Sequence, residues 1–176
     1  MSHIIIDAYN VTGIFHKDME KMREEFVELL VRYRQIKAHD ITVVFDGYRN
    51  GAGVENTAVH CGVRVIYSRL GERADDVIKR IVSCERREWI VVSSDRDIAN
   101  HVWAEGSIPV QSERFFEIVS KQVKMKGDAA PPVCDDSEGP PLFAADDEAE
   151  DPRCRKGNPY KLSKRDRAVR KALSKL

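Results

Sequence analysis

Short runs of apolar, largely β-branched residues alternate with stretches of helical periodicity through the first 125 residues of this 176-residue chain. That alternation is what a parallel sheet covered by helices requires, because strands buried on both faces read as continuous apolar runs. The pattern predicts strands over 3–7, 41–46, 63–68, 89–94 and 108–111. It predicts a helix over 17–38, where Met19, Met22, Phe26, Leu29, Leu30 and Tyr33 recur at helical spacing. Further helices are expected over 73–86, 96–104 and 113–125. The second of these four is built on Ala74, Val77, Ile78, Ile81 and Val82, and the last on Phe115, Phe116, Ile118, Val119 and Val123.

Acidic residues stand where these runs stop. Asp7 ends His3–Ile6, Asp46 ends Ile41–Phe45, and Asp95, followed by Asp97, ends Trp89–Ser94. Asp75-Asp76 opens a helix. The carboxyl ends of parallel strands lie on one edge of an open sheet, where ligands bind. Carboxylates gathered there repel one another unless a cation or shared protons offset the charge. Taken singly, each acid has a plain structural role. Asp95 suits a helix N-cap, Asp46 before Gly47 suits a turn, and Asp75-Asp76 complements a helix dipole. Their joint placement points to a Mg²⁺ or Mn²⁺ site, since these ions take a few hard oxygen ligands and keep several waters. Such an ion supports phosphodiester hydrolysis by polarising the phosphate, activating water and offsetting charge on the leaving oxygen. At 100° per residue, Asp75 borders the apolar face of its helix and leans over the sheet edge, whereas Asp76 points to solvent. Asn10, three residues past Asp7, can hold water or phosphate without adding repulsion; its plain role is a turn.

Bulk properties exclude several alternatives. A net charge of zero gives no global attraction to a polyanion, so any nucleic-acid affinity must come from local patches. Cys61, Cys84, Cys134 and Cys154 are scattered, which argues against a zinc site or a disulfide framework and for reduced thiols. No apolar run is long enough to span a membrane, and Met1-Ser2 leaves no room for a signal peptide before the first strand. The expected setting is cytoplasmic.

Composition shifts near Gly127. Residues 128–151 hold nine acids and no Lys or Arg, with two Pro-Pro pairs, and are expected to be disordered. Residues 152–176 carry ten Lys or Arg and one acid, Asp166. Ser163-Lys164-Arg165-Asp166 matches a capping box ahead of Ala168, Val169, Ala172, Leu173 and Leu176, so a basic amphipathic helix is predicted. The expected organisation is a domain over 1–126, an acidic linker over 127–151 and a basic tail over 152–176. Asn50-Gly51-Ala52-Gly53 reads as a loop.

Together, Ile6-Asp7-Ala8-Tyr9-Asn10, Val44-Phe45-Asp46-Gly47, Ala74-Asp75-Asp76 and Ser93-Ser94-Asp95-Arg96-Asp97 resemble the NYN branch of the PIN-like ribonucleases, and within it the bacterial YacP-like group. The resemblance covers about residues 1–126. It implies a PIN-like three-layer α/β sandwich around a mainly parallel sheet, five-stranded by the count above. It implies metal-dependent endonucleolytic cleavage of RNA, with single-stranded mRNA as substrate and the ribosome as a partner. By position, Asp7, Asp75 and Asp95 become the acidic ligands and catalytic groups, with Asn10, Asp46 and Asp97 as helpers. A small hydroxyl residue commonly precedes the Ala-Asp of this family; here Arg73 stands there, either to contact phosphate or to weaken metal binding.

Arg49, Arg69, Arg73 and Arg96 lie near the proposed edge and suit bidentate phosphate contacts, while Tyr9, Tyr48 and Tyr67 suit stacking on unpaired bases. The plainer reading makes the arginines solvated charges and packs Tyr9 on the sheet. Two other functions compete with a ribonuclease. One is a catalytically weak RNA- or ribosome-binding module, motivated by Arg73 and the basic tail. The other is a phosphatase or phosphoacceptor, disfavoured because position 9 is Tyr where a D-x-D pair would need Asp.

Overall fold

The computed structural model describes residues 2–12, 19–47, 54–85, 87–125 and 163–176. The elements run β1 (His3–Asp7), α1 (Ala8–Thr12), α2 (Met19–Lys37), β2 (Asp40–Phe45), β3 (Asn56–His60), β4 (Val63–Tyr67), α3 (Ala74–Cys84), β5 (Trp89–Val92), α4 (Arg96–Ala104), β6 (Ile108–Val110), α5 (Ser112–Met125) and α6 (Lys164–Lys175). The strands form one mostly parallel sheet in the order β3-β4-β2-β1-β5-β6. β1 lies in the middle, with Ile6 in register with Val43 on one side and Val92 on the other.

The sheet has six strands where the sequence pattern predicts five. The added strand, β3, runs antiparallel to β4 at the edge. Its two-residue connection, Cys61-Gly62, has positive φ at both positions (49° and 79°), the conformation of a type I′ hairpin turn. All five β3 residues are exposed, so the strand has no apolar run to betray it. Cys61 is also disulfide-bonded, which corrects the expectation of reduced thiols, whereas Cys84 is free.

Strand alternation divides the core into two layers. Ile4 and Ile6 face Phe26, Leu30 and Tyr33 of α2, Phe115 and Val119 of α5, and Ala172 of α6. Ile5 faces the other way, onto Val77, Ile78 and Val82 of α3 and Ile98 and Val102 of α4. The result is a three-layer α/β sandwich. α2 stops at Lys37 because Ala38 turns to positive φ (49°) while its amide still donates to the Arg34 carbonyl.

α6 is capped as its sequence predicts. Ser163 Oγ accepts the Asp166 amide at 3.1 Å and donates to Asp166 Oδ2 at 2.7 Å. The helix docks on the domain rather than projecting from it. Ala172 and Leu176 are buried in the α2–α5 layer, the Tyr33 hydroxyl donates to the Leu176 carbonyl at 2.8 Å, and Arg165 lies over the Trp103 ring. Among the described residues no helix is long and apolar enough to cross a membrane. The loop over 50–53, the acidic stretch over 128–151, Tyr48 and Arg49 lie outside the described residues.

Candidate active site

The chain lays β2 and β4 on one side of β1 and then returns to lay β5 and β6 on the other. The carboxyl end of β1 is therefore the point where strand order reverses, the usual position of a ligand crevice in an open α/β sheet. Asp7 occupies that end and is only 1% exposed.

A carboxylate so buried requires hydrogen-bond donors, and three are supplied. Asn10 Nδ2 donates to Asp7 Oδ2 at 2.5 Å, Ser93 Oγ donates to the same oxygen at 3.2 Å, and the Asn10 amide donates to Oδ1 at 3.3 Å. Asn10 Nδ2 also donates to Ser93 Oγ at 3.0 Å. Helix α1 begins directly after Asp7 and brings Asn10 back over it. Burial pushes the Asp7 carboxyl above its ordinary range; the bonds from Asn10 pull it down, the charge of Asp75 pushes it up again, and Ser93 pulls it down.

Ser93 also links this group to β5's exit. Its Oγ accepts the Asp95 amide at 3.1 Å. Asp95 is a genuine N-cap: Oδ1 accepts the Asp97 amide at 2.7 Å at the start of α4. Asp75 is half-buried at the N-terminus of α3 and Asp76 is exposed, as the helical-face argument requires. Burial raises the Asp75 carboxyl first, then the charge of Asp95; Lys79 and Arg73 oppose the rise. Asp75 thus feels Asp95, and Asp7 feels Asp75. Asp46 is half-buried just past β2, two residues beyond Val44, which pairs with Asp7. The neighbouring Gly47 amide donates to Ser68 Oγ at 2.8 Å, which ties the β2 exit to the β4 exit. Asp97 is exposed and ion-paired with Lys79, whose hydrogen bond lowers its carboxyl range.

Among the described residues, no group of three or more His, Cys, Asp or Glu side chains is close enough to enclose a metal ion. The donor chemistry nonetheless fits a hard divalent cation. The oxygens are carboxylate oxygens, their charges act on one another, and Mg²⁺ needs only one or two protein carboxylates with water in its other positions.

The arginines divide. Arg69 pairs with Glu72 at 3.2 Å. Arg73 is exposed at the N-cap of α3, and its charge favours ionised Asp75; Arg96 is exposed at the first position of α4. Tyr9 is 64% exposed beside Asp7 and does not pack on the sheet, whereas Tyr67 stacks on Phe45 at 5.3 Å. Two residues of this site escape sequence reasoning. Ser93 is visible only as part of a motif, because two of its partners, Asp7 of β1 and Asn10 of α1, lie more than 80 positions away. Lys79 carries one local signal, its position four residues after Asp75.

A three-layer α/β fold with interacting carboxylates at the switch point of a mostly parallel sheet defines a PIN-like, nuclease-like class. Within that class the chain belongs to the YacP-like NYN domain family, whose model matches residues 4–132. Two crystal structures of Rae1 (YacP) from Bacillus subtilis share the fold. A tryptophan-to-leucine mutant superposes with a TM-score of 0.58 at 18% identity, covering 71% of this chain and 79% of that one. A second Rae1 structure gives 0.57 at 18% identity, covering 72% and 78%. No curated protein matches the chain.

Proposed function

We propose that this protein is a Mg²⁺- or Mn²⁺-dependent endoribonuclease that cleaves single-stranded mRNA, with the ribosome as the setting its family resemblance implies. One observation carries the reading. Asp7 is buried at the sheet's switch point, held by Asn10 and Ser93, and its charge is linked through Asp75 to Asp95.

Asp7, Asp75 and Asp95 would hold the cation, with Asp46 and Asp97 as further oxygen donors. Bound there, the ion would polarise the scissile phosphate and offset charge on the leaving oxygen. The chain's own part is positional. Asn10 and Ser93 fix the Asp7 carboxylate in one orientation, and Asp95's cap bond fixes Asp95 against α4. Arg73 and Arg96, exposed on the same edge, suit phosphate oxygens, as does the exposed Arg69. Tyr9 offers a ring to an unpaired base beside Asp7. The domain we assign to this activity is residues 1–126, with a linker over 127–151 and a basic tail over 152–176 whose helix packs back on the sheet.

Arg73, exposed at the N-cap of α3 where the family resemblance implies a small hydroxyl residue, together with the basic tail, favours a second reading, an RNA- or ribosome-binding module without cleavage. One experiment separates the two. Wild type, Asp7→Asn and Asp95→Asn are incubated with structured and unstructured RNA, with Mn²⁺ or with EDTA. Mn²⁺-dependent internal cleavage of unstructured RNA, lost in both variants, supports the nuclease. Full activity in EDTA or in both variants refutes it, and tight binding without cleavage supports the module. An RNA substrate also implies a cytoplasmic setting.

A further inference from the structure

Lys79 of α3 sets a cation among the acids. Lys79 follows Asp75 by four residues, so the two side chains rise from one face of α3, about 5–6 Å apart at their Cβ atoms. Its ammonium forms a hydrogen-bonded ion pair with Asp97 Oδ2 in the first turn of α4. The lysine side chain is 26% exposed and the aspartate 80%, so the lysine is the anchored partner. The ammonium is thus bound to one of the carboxylates assigned to the cation, Asp97, and its charge acts on another, Asp75.

We infer that Lys79 is a resident counter-cation of the acidic edge, competing with the divalent ion for Asp75 and Asp97 and so setting how tightly that ion is held. This rests on the nuclease reading above. Ion pairs with so exposed a carboxylate hold weakly, so a divalent ion can displace the ammonium. While the pair persists, it draws Asp97 away from the ion and adds a repulsive charge nearby. Removing the ammonium lifts both effects.

The test is Mn²⁺ binding by the full chain without RNA, followed by loss of the free-ion electron paramagnetic resonance signal. Lys79→Met should bind roughly tenfold more tightly, the scale of one unit charge near a divalent ion in solvent-exposed surroundings. Lys79→Arg should match wild type, and adding Asp97→Asn to Lys79→Met should cancel the gain. Thermal melts establish that each variant is folded. Unchanged or weaker binding by Lys79→Met, or an equal gain in Lys79→Arg, overturns the inference. Asp7→Asn distinguishes the two levels of failure. If wild-type binding depends on Asp7 while Lys79→Met changes nothing, only the role of Lys79 falls. If no protein binds Mn²⁺, or Asp7→Asn binds it as well as wild type, the nuclease reading falls too.

Discussion

Replacing Asp7 with Asn should stabilise the protein at neutral pH while abolishing cleavage. The native carboxyl is raised above its ordinary value of 3.8, chiefly by burial. The native state therefore retains the Asp7 proton over a pH window in which the unfolded chain has lost it. Stability contributed by this group falls as pH rises from 3.8 through the native value, and the ionised group is a net cost above that window. Asparagine removes the charge and keeps an oxygen able to accept from Asn10 Nδ2 and Ser93 Oγ. Relief of the buried charge, which burial makes costly despite its three donors, is worth about 1–3 kcal/mol. Against this, the 3.3 Å bond from the Asn10 amide to Oδ1 is lost where the new NH₂ group falls, at about 0.5 kcal/mol. The net gain of about 0.5–2.5 kcal/mol corresponds to a rise in Tm of about 1–10 °C for a chain of this size. Calorimetry in EDTA at pH 7.5 and again near pH 4 would measure it. The gain should be present at the higher pH and shrink at the lower, and Mn²⁺ should narrow it by stabilising wild type alone. A variant less stable than wild type by the same amount at both pH values would refute the reasoning.

Three further substitutions probe other parts of the structure. Ser93→Ala removes a donor to Asp7 and the acceptor of the Asp95 amide, and should lower stability by about 1–2 kcal/mol in urea melts and slow RNA cleavage. Tyr9→Ala should leave stability within about 0.5 kcal/mol and raise KM for unstructured RNA roughly tenfold, with Tyr9→Phe close to wild type in steady-state kinetics. Leu176→Ala should cost about 2–4 kcal/mol and Tyr33→Phe about 1 kcal/mol in chemical denaturation, because the first empties a buried site and the second removes the bond to the Leu176 carbonyl.

Much of this architecture is written in local patterns. The five parallel strands are legible because they are largely buried, β1, β2 and β5 on both faces, so the residues themselves spell out an apolar run. The preference for Asp75 over Asp76 is legible because helix geometry alone fixes which side chain borders the apolar face. β3 is not legible, since none of its side chains is buried and its hairpin turn is Cys61-Gly62 rather than an Asn-Gly pair. Ser93 was hidden for a different reason. Its importance comes from strand adjacency, which puts Asn10 and Asp7 beside a residue more than 80 positions away. Lys79 shares that difficulty, because its partner lies on another helix. The capping role of Asp95, weighed from sequence as the plain alternative, holds alongside its place in the carboxylate chain.

The central position of β1 bears on how the protein is made. β1 is synthesised before every other strand, yet one of its two edges is closed only by β5, more than 80 residues later. Until then the growing chain has Asp7 but neither Ser93 to hold it nor Asp95 to act with it. The acidic edge is split between the early and late portions of the chain and joined only when the sheet closes. A half-made molecule therefore has no assembled site.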